Sequence, residues 1–260
     1  MFCKFIANNV HSDEYGIVCV NFGLISSPES VASGGTTSLT TNKTPVGSKF
    51  NIISQEYNAP ITFNFQIMKT DGSDISLDLE RALTKWLCKR GLYIPFQIED
   101  DRYRELSFNV NISNPKVIRV SDTVGMEFTV TCDSPFAKER QIVKTYNITT
   151  ANQMIRLMVD TDDETIYPDI EITVNSGTTL EITNTQEIDE HYKMIFTNIA
   201  VGEVISIKGN IPTISSNKGA HIWKDFNKRW FRLYDGVNTI TFSQPCKVVL
   251  KYYENRRVGV

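Results

Sequence analysis

Apolar residues fall at every second position in Thr62-Phe63-Asn64-Phe65-Gln66-Ile67 and again in Met126-Glu127-Phe128-Thr129-Val130. That is the period of a strand with one face buried and the other wet. Strand-forming runs also occupy residues 50–53, 61–68, 106–112 and 126–132 of the first half. In the second half they occupy 170–174, 193–198, 204–208, 239–242 and 247–252. The chain therefore reads as mostly β.

One segment changes period. Ile75, Leu79, Ala82, Leu83, Trp86 and Leu87 recur at spacings of three and four, which predicts a helix over residues 75–90. Asp74 or Ser76 caps its start, and Asp78 and Glu80 suit the positive end of its dipole. Lys85, Lys89 and Arg90 suit the negative end, and Gly91 stops it. The apolar stripe is expected to pack on the first sheet, with Trp86 as a core anchor.

Residues 28–49 switch to Ser, Thr, Gly, Asn and Lys, with Gly34-Gly35 near the start and Pro45-Val46-Gly47 near the end. Such a stretch cannot fill a core. It fits either a surface loop or a long hairpin arm that lies on a neighbouring subunit, and its β-branched threonines permit the latter. The arm candidates are Thr36, Thr37, Leu39, Thr41 and Val46.

A second break comes at Asp133-Ser134-Pro135-Phe136, followed by Lys138-Glu139-Arg140. It places a domain boundary near residue 137, giving domains 1–136 and 137–260. Beyond it, turn signals at Asn175-Ser176-Gly177, Val201-Gly202-Glu203, Asn217-Lys218-Gly219 and Asp235-Gly236 separate short strands, as in a β-sandwich.

Composition narrows the function. The 260 residues suit two ordinary domains, and 41% hydrophobic with 22% charged content suits a globular chain. A net charge of −3 supplies no field that would gather nucleic acid or an anionic membrane. The first ten residues lack a signal-like apolar run, and no stretch of about 18 apolar residues could span a bilayer. Synthesis and retention in a cytoplasm are expected.

The five cysteines, Cys3, Cys19, Cys88, Cys132 and Cys246, are odd in number and form no C-x-x-C pair. Free buried thiols are expected. His11, His191 and His221 share no metal-ligand spacing with them, so neither metal nor cofactor is expected.

The chain lacks G-x-S-x-G, a phosphate-binding Gly loop, H-E-x-x-H and a dinucleotide fingerprint. The acidic groups Glu99-Asp100-Asp101 and Asp160 to Glu164 sit among polar turn residues and read as solvated charge. The aspartates of the second lack the glycine and distal glutamate of an EF-hand. No catalytic residue is assigned. The run from His221 to Phe231 is the most ligand-like, because exposed Trp stacks on sugar rings. Trp223, Trp230 and Tyr234 are the carbohydrate-contact candidates, against the alternative that this run fixes a strand of the second sandwich.

The order of features resembles the phage tail-component family, the siphophage distal tail proteins. The resemblance is carried by Phe5-Ile6-Ala7-Asn8-Asn9-Val10 and Ser12-Asp13-Glu14-Tyr15-Gly16-Ile17, then the polar arm, the strand at 60–69, the single helix and Cys132-Asp133-Ser134-Pro135-Phe136. In the second half it is carried by Tyr167-Pro168-Asp169-Ile170-Glu171-Ile172, Gly202-Glu203-Val204-Ile205-Ser206-Ile207 and the Leu-x-x-Gly-x-Asn of Leu233, Gly236 and Asn238.

The resemblance implies an N-terminal sandwich or split-barrel-like domain with one helix and a hairpin arm, plus a C-terminal galectin-like or carbohydrate-module-like sandwich. It implies a non-enzymatic homohexameric ring at the virion tail tip. The partners would be the tail tube protein, a tail-associated fibre or lysin protein and receptor-binding proteins. The chain has no room for an inserted carbohydrate module, which favours a scaffold over direct sugar binding.

Overall fold

The structure is a computed structural model that describes residues 3–20, 34–45, 47–101, 103, 105–189 and 191–258. The fold is mostly β, and the chain divides into two compact units. The first comprises Met1–Glu139 with Arg256–Val260, the second Arg140–Asn255.

The first unit is built on an antiparallel sheet in the order Val10–His11, Lys4–Ala7, Ile94–Glu99, Phe108–Arg119, Thr123–Cys132, Thr62–Lys69, Ile17–Val20. Alternation decides its inner face: Phe65 and Ile67, Phe108, Val110 and Ile112, and Met126, Phe128 and Val130 all point into one core. The sheet also meets itself. Cys3 and Cys19 exchange backbone hydrogen bonds of 3.2 and 2.8 Å, joining the start of the chain to the last strand of the sheet. This pairing curls the sheet towards a closed barrel and removes an open edge.

The helix runs Leu77–Leu87, shorter than the predicted 75–90 at both ends. Ser76 is the cap, its hydroxyl accepting from the Leu79 amide at 3.3 Å, so Ile75 lies ahead of the helix although its side chain is buried. Past the end, the Lys89 ammonium donates to the Lys85 carbonyl at 2.7 Å, and Gly91 turns the chain with a φ of 69°. Leu83, Trp86 and Leu87 face the core.

Trp86 is the anchor its spacing predicts. Its indole stacks between Phe5 and Tyr15, with centroids at 5.7 and 4.7 Å, and its N–H donates to the Ala7 carbonyl at 3.0 Å. Phe5 in turn meets Phe65 edge-on at 4.9 Å. Helix and first strand are therefore locked by one aromatic stack whose polar group is satisfied.

Residues 50–53 do form a strand, but in the arm rather than the core. Thr36–Lys43 pairs with Phe50–Ala59 as a separate two-stranded hairpin that continues beyond residue 49. The apolar letters Phe50 and Ile52 resemble those of a core strand. Their ladder partners are Lys43 and Thr41, so the ribbon offers no second apolar layer of its own.

The second unit packs two antiparallel sheets face to face. One runs Ile142–Ile148, Cys246–Tyr252, Asp169–Val174, Val204–Lys208, Thr213–Ser216; the other Gln153–Val159, Gly236–Phe242, Leu180–Asn184, Met194–Phe196. Ile172, Ile205, Val248 and Leu250 of the first meet Ile182, Phe196, Ile240 and Phe242 of the second in one core.

Trp86→Ala removes a stack and a hydrogen-bond donor from the first core together. It should cost about 3–5 kcal/mol in the unfolding transition of the first unit, read by urea denaturation, and leave the second unit's transition in place.

Candidate functional site

The root of the arm is assembled from three distant stretches of sequence. The Gly34 amide donates to the Val258 carbonyl at 2.7 Å and the Gly35 amide to the Pro135 carbonyl at 3.0 Å. At Gly35 a Cβ would sit 2.4 Å from both the Ala59 carbonyl oxygen and the Pro135 Cβ, so only glycine fits. Tyr57 packs edge-on against Phe136 at 5.0 Å and accepts a 2.6 Å hydrogen bond from the Arg257 guanidinium. Arg256 beside it pairs with Glu139 at 2.7 Å. The Gly-Gly and Ser-Pro-Phe features noted in the sequence thus meet at one anchor.

Beyond that anchor the hairpin has two unlike faces, because directly opposed residues point to the same side. Thr37, Leu39, Thr41 and Lys43 share a face with Tyr57, Gln55, Ile52 and Phe50. The other face carries Ser38, Thr40, Asn42, Asn51, Ser54, Glu56 and Asn58. Leu39, Phe50 and Ile52 are 55%, 64% and 66% exposed, and Ile53 at the bulge is 64% exposed. Thr36 starts the ribbon opposite Ala59. Val46 lies outside the described residues, as do the predicted arm residues 28–33.

Three large aliphatic or aromatic side chains on one face of an exposed two-stranded ribbon are what a second surface would cover. The sequence placed Thr36, Thr37, Leu39 and Thr41 on the arm but missed Phe50 and Ile52. Their signal was an apolar run, Phe50, Ile52 and Ile53, directly after a polar stretch.

In the second unit the three aromatic candidates have different surroundings. Trp223 is half-exposed, tilted 43° to Trp230 at 6.4 Å, with the Lys228 ammonium 5.5 Å from its ring centre. Trp230 packs edge-on against the buried Phe226 at 5.1 Å. Tyr234 donates to the Glu187 carboxylate at 2.7 Å.

Glu187, whose side chain is 4% exposed, is also forked by Arg232, with Nε at 3.1 Å and Nη2 on the second oxygen. Burial first, then the Glu187 carboxylate, pushes the Tyr234 phenol up, while the Glu187 hydrogen bond holds Arg232 more firmly cationic. Arg232 lies 4.2 Å over Tyr192, whose hydroxyl donates to the Trp230 carbonyl at 2.9 Å. Sequence spacing gave no hint of Glu187, because it lies 45 residues from Arg232.

The Leu-x-x-Gly-x-Asn stretch has a physical reason. Leu233 is fully buried and Gly236 turns at a φ of 87°. Buried Asn238 accepts from the Tyr234 amide at 2.9 Å and the Asn184 amide group at 2.7 Å, and donates to the Tyr234 carbonyl at 2.7 Å. The motif fixes a turn.

The acidic stretches are occupied by neighbouring groups. Glu99 lies 3.2 Å from the His11 ring, and Asp163 accepts from Asn255 at 3.0 Å, with burial as the main influence raising its carboxyl. Among the described residues no group of three His, Cys, Asp or Glu side chains could hold a metal ion.

The combination of a curled antiparallel barrel carrying a helix and an arm, followed by a β-sandwich, has counterparts. The family described as phage tail protein N-terminal domain matches residues 1–134, and the phage tail C-terminal domain matches residues 136–252. The chain belongs to this phage tail family and is a tail component.

Its fold is that of a solved hub protein, the Dit protein of phage SPP1, described as a paradigm of the hub adsorption apparatus in phages infecting Gram-positive hosts. The two align with a TM-score of 0.70 at 12% identity over 97% of this chain and 98% of that one. A Bacillus thuringiensis Cry1Da tryptic core variant aligns at a TM-score of 0.25 and 9% identity, over 98% of this chain and 50% of that one. No curated protein sequence matches the chain significantly.

Arg232→Ala leaves the buried Glu187 charge without its main partner and should cost about 3 kcal/mol in the second unit's stability, measured by denaturant titration. Trp223→Ala, at a half-exposed ring, should change it by less than about 1 kcal/mol.

Proposed function

We propose that the chain is a structural hub of the distal tail, six copies forming a ring that joins the tail tube to the host-attachment tip. The observation that carries this reading is the arm: a rigidly rooted ribbon with Leu39, Phe50 and Ile52 on one uncovered face. A closed ring gives every arm a neighbour and leaves no arm over, so cyclic assembly satisfies all the apolar faces at once.

In this reading the N-terminal unit makes the ring, and the second unit is a galectin-like sandwich. The tube protein stacks on one face and a tail-associated fibre or lysin protein on the other, with receptor-binding proteins as further partners. The subunit works at the virion tail tip after synthesis in the host cytoplasm. It needs no catalytic residue, metal or cofactor.

A second reading, binding of a host cell-wall glycan, is favoured only by the half-exposed indole of Trp223. Trp230 packs against Phe226 and the Tyr234 hydroxyl is engaged by Glu187, which leaves little free aromatic face for a sugar.

The test compares the wild-type chain with a Leu39→Glu/Phe50→Glu/Ile52→Glu variant by light scattering, alone and with tube protein. The wild type should form a discrete closed oligomer. The variant should stay monomeric with an unchanged melting temperature, since its substitutions touch no core. A wild type that remains monomeric at high concentration with tube protein, or a variant that assembles equally well, overturns the proposal. Retention of the wild type but not Trp223→Ala on purified host cell wall would favour the glycan reading instead.

A further inference from the structure

Two of the five cysteines face each other where the first sheet meets itself. Cys3 and Cys19 are opposite one another in an antiparallel bridge and exchange both of their backbone hydrogen bonds, at 3.2 and 2.8 Å. Residues so paired hold their Cα atoms about 5.5 Å apart, within the span a disulfide bridges. Both side chains are only partly buried, so a small oxidant can reach them. We propose that Cys3 and Cys19 are a modification site: they form a reversible intramolecular disulfide that staples the first strand to Ile17–Val20 and locks the curled sheet.

The two thiols are prepared for different roles. The hydrogen bond from Cys19 holds the Cys3 thiol below the usual thiol range, while the same contact, with burial second, raises Cys19. Cys3 is therefore the better thiolate and the first nucleophile. The other three are poor candidates, since burial pushes Cys132 and Cys246 up to about 12 and also raises Cys88.

The oxidant is a small-molecule disulfide such as oxidised glutathione. The Cys3 thiolate attacks one of its sulfurs, forming a Cys3–glutathione bond and releasing one glutathione thiolate. Cys19 then loses its proton and attacks the Cys3 sulfur, forming the Cys3–Cys19 bond and releasing the second glutathione. The two protein thiols are oxidised by two electrons, the glutathione disulfide is reduced by two, and the released thiolates take up the two protons. A directly opposed hydrogen-bonded pair holds its Cβ atoms wider apart than the non-hydrogen-bonded kind, so the bond is expected to be easily reduced. The staple would thus be open in a reducing cell interior and closed outside it.

The experiment treats the whole purified chain with oxidised glutathione, then counts thiols and maps peptides by mass spectrometry. The wild type should lose two of its five free thiols and yield a linked peptide pair containing Cys3 and Cys19. The melting temperature of the first unit should rise by about 5 °C, and dithiothreitol should restore all five thiols. Cys3→Ser and Cys19→Ser should each abolish the link and the shift. Five thiols persisting under oxidant, a glutathione adduct that never resolves, or a link through Cys88, Cys132 or Cys246 overturns the site. A linked chain that melts no higher overturns the staple.

Discussion

A ribbon of two strands turns Leu39, Phe50 and Ile52 to water and is anchored at its root, and that imbalance governs the rest of the molecule. Isolated hairpins are marginal in water because each strand has one partner and no layer beneath it. Here the root compensates. Gly35 lets the ribbon lie directly on Pro135, and Tyr57 is held between Phe136 and Arg257. The ribbon is thus presented in a defined direction with its apolar face unspent.

The remainder of the first unit serves as a platform. Its sheet buries alternate residues of six strands in one core, curls so that Cys3 meets Cys19, and is pinned by Trp86 between Phe5 and Tyr15. Residues Arg256 to Val258 return from the second unit to complete the arm's anchor. Arg257 and Val258 are thereby built into the element that the proposed assembly uses.

Much of this was legible because it rests on local periodicity. The alternation at 62–67 and 126–130 reports a half-buried strand wherever the strand lies, and Ser76 with the 75-79-83-86 spacing reports a capped helix. What stayed hidden depends on partners remote in sequence. Phe50 and Ile52 look like core letters until their opposites are known to be Lys43 and Thr41. Tyr234 looks like a sugar platform until Glu187 is found on its hydroxyl, and the Leu-x-x-Gly-x-Asn stretch gains its physical reason from the buried hydrogen bonds of Asn238. Cysteine spacing alone could not reveal that the first two thiols face each other, because sheet curling brings them together.

The central claim is that the arm's apolar face is open in the lone chain and covered by a neighbour in the tail. Hydrogen exchange followed by mass spectrometry, on the arm amides from Thr36 to Ala59, tests it directly in the monomer, obtained by dilution below the assembly concentration, and in intact tails. The account predicts rapid exchange in the monomer and protection by at least about tenfold in the tail, with the amides of Phe108–Arg119 protected in both. Arm amides that exchange equally fast in assembled tails and in the monomer would contradict it.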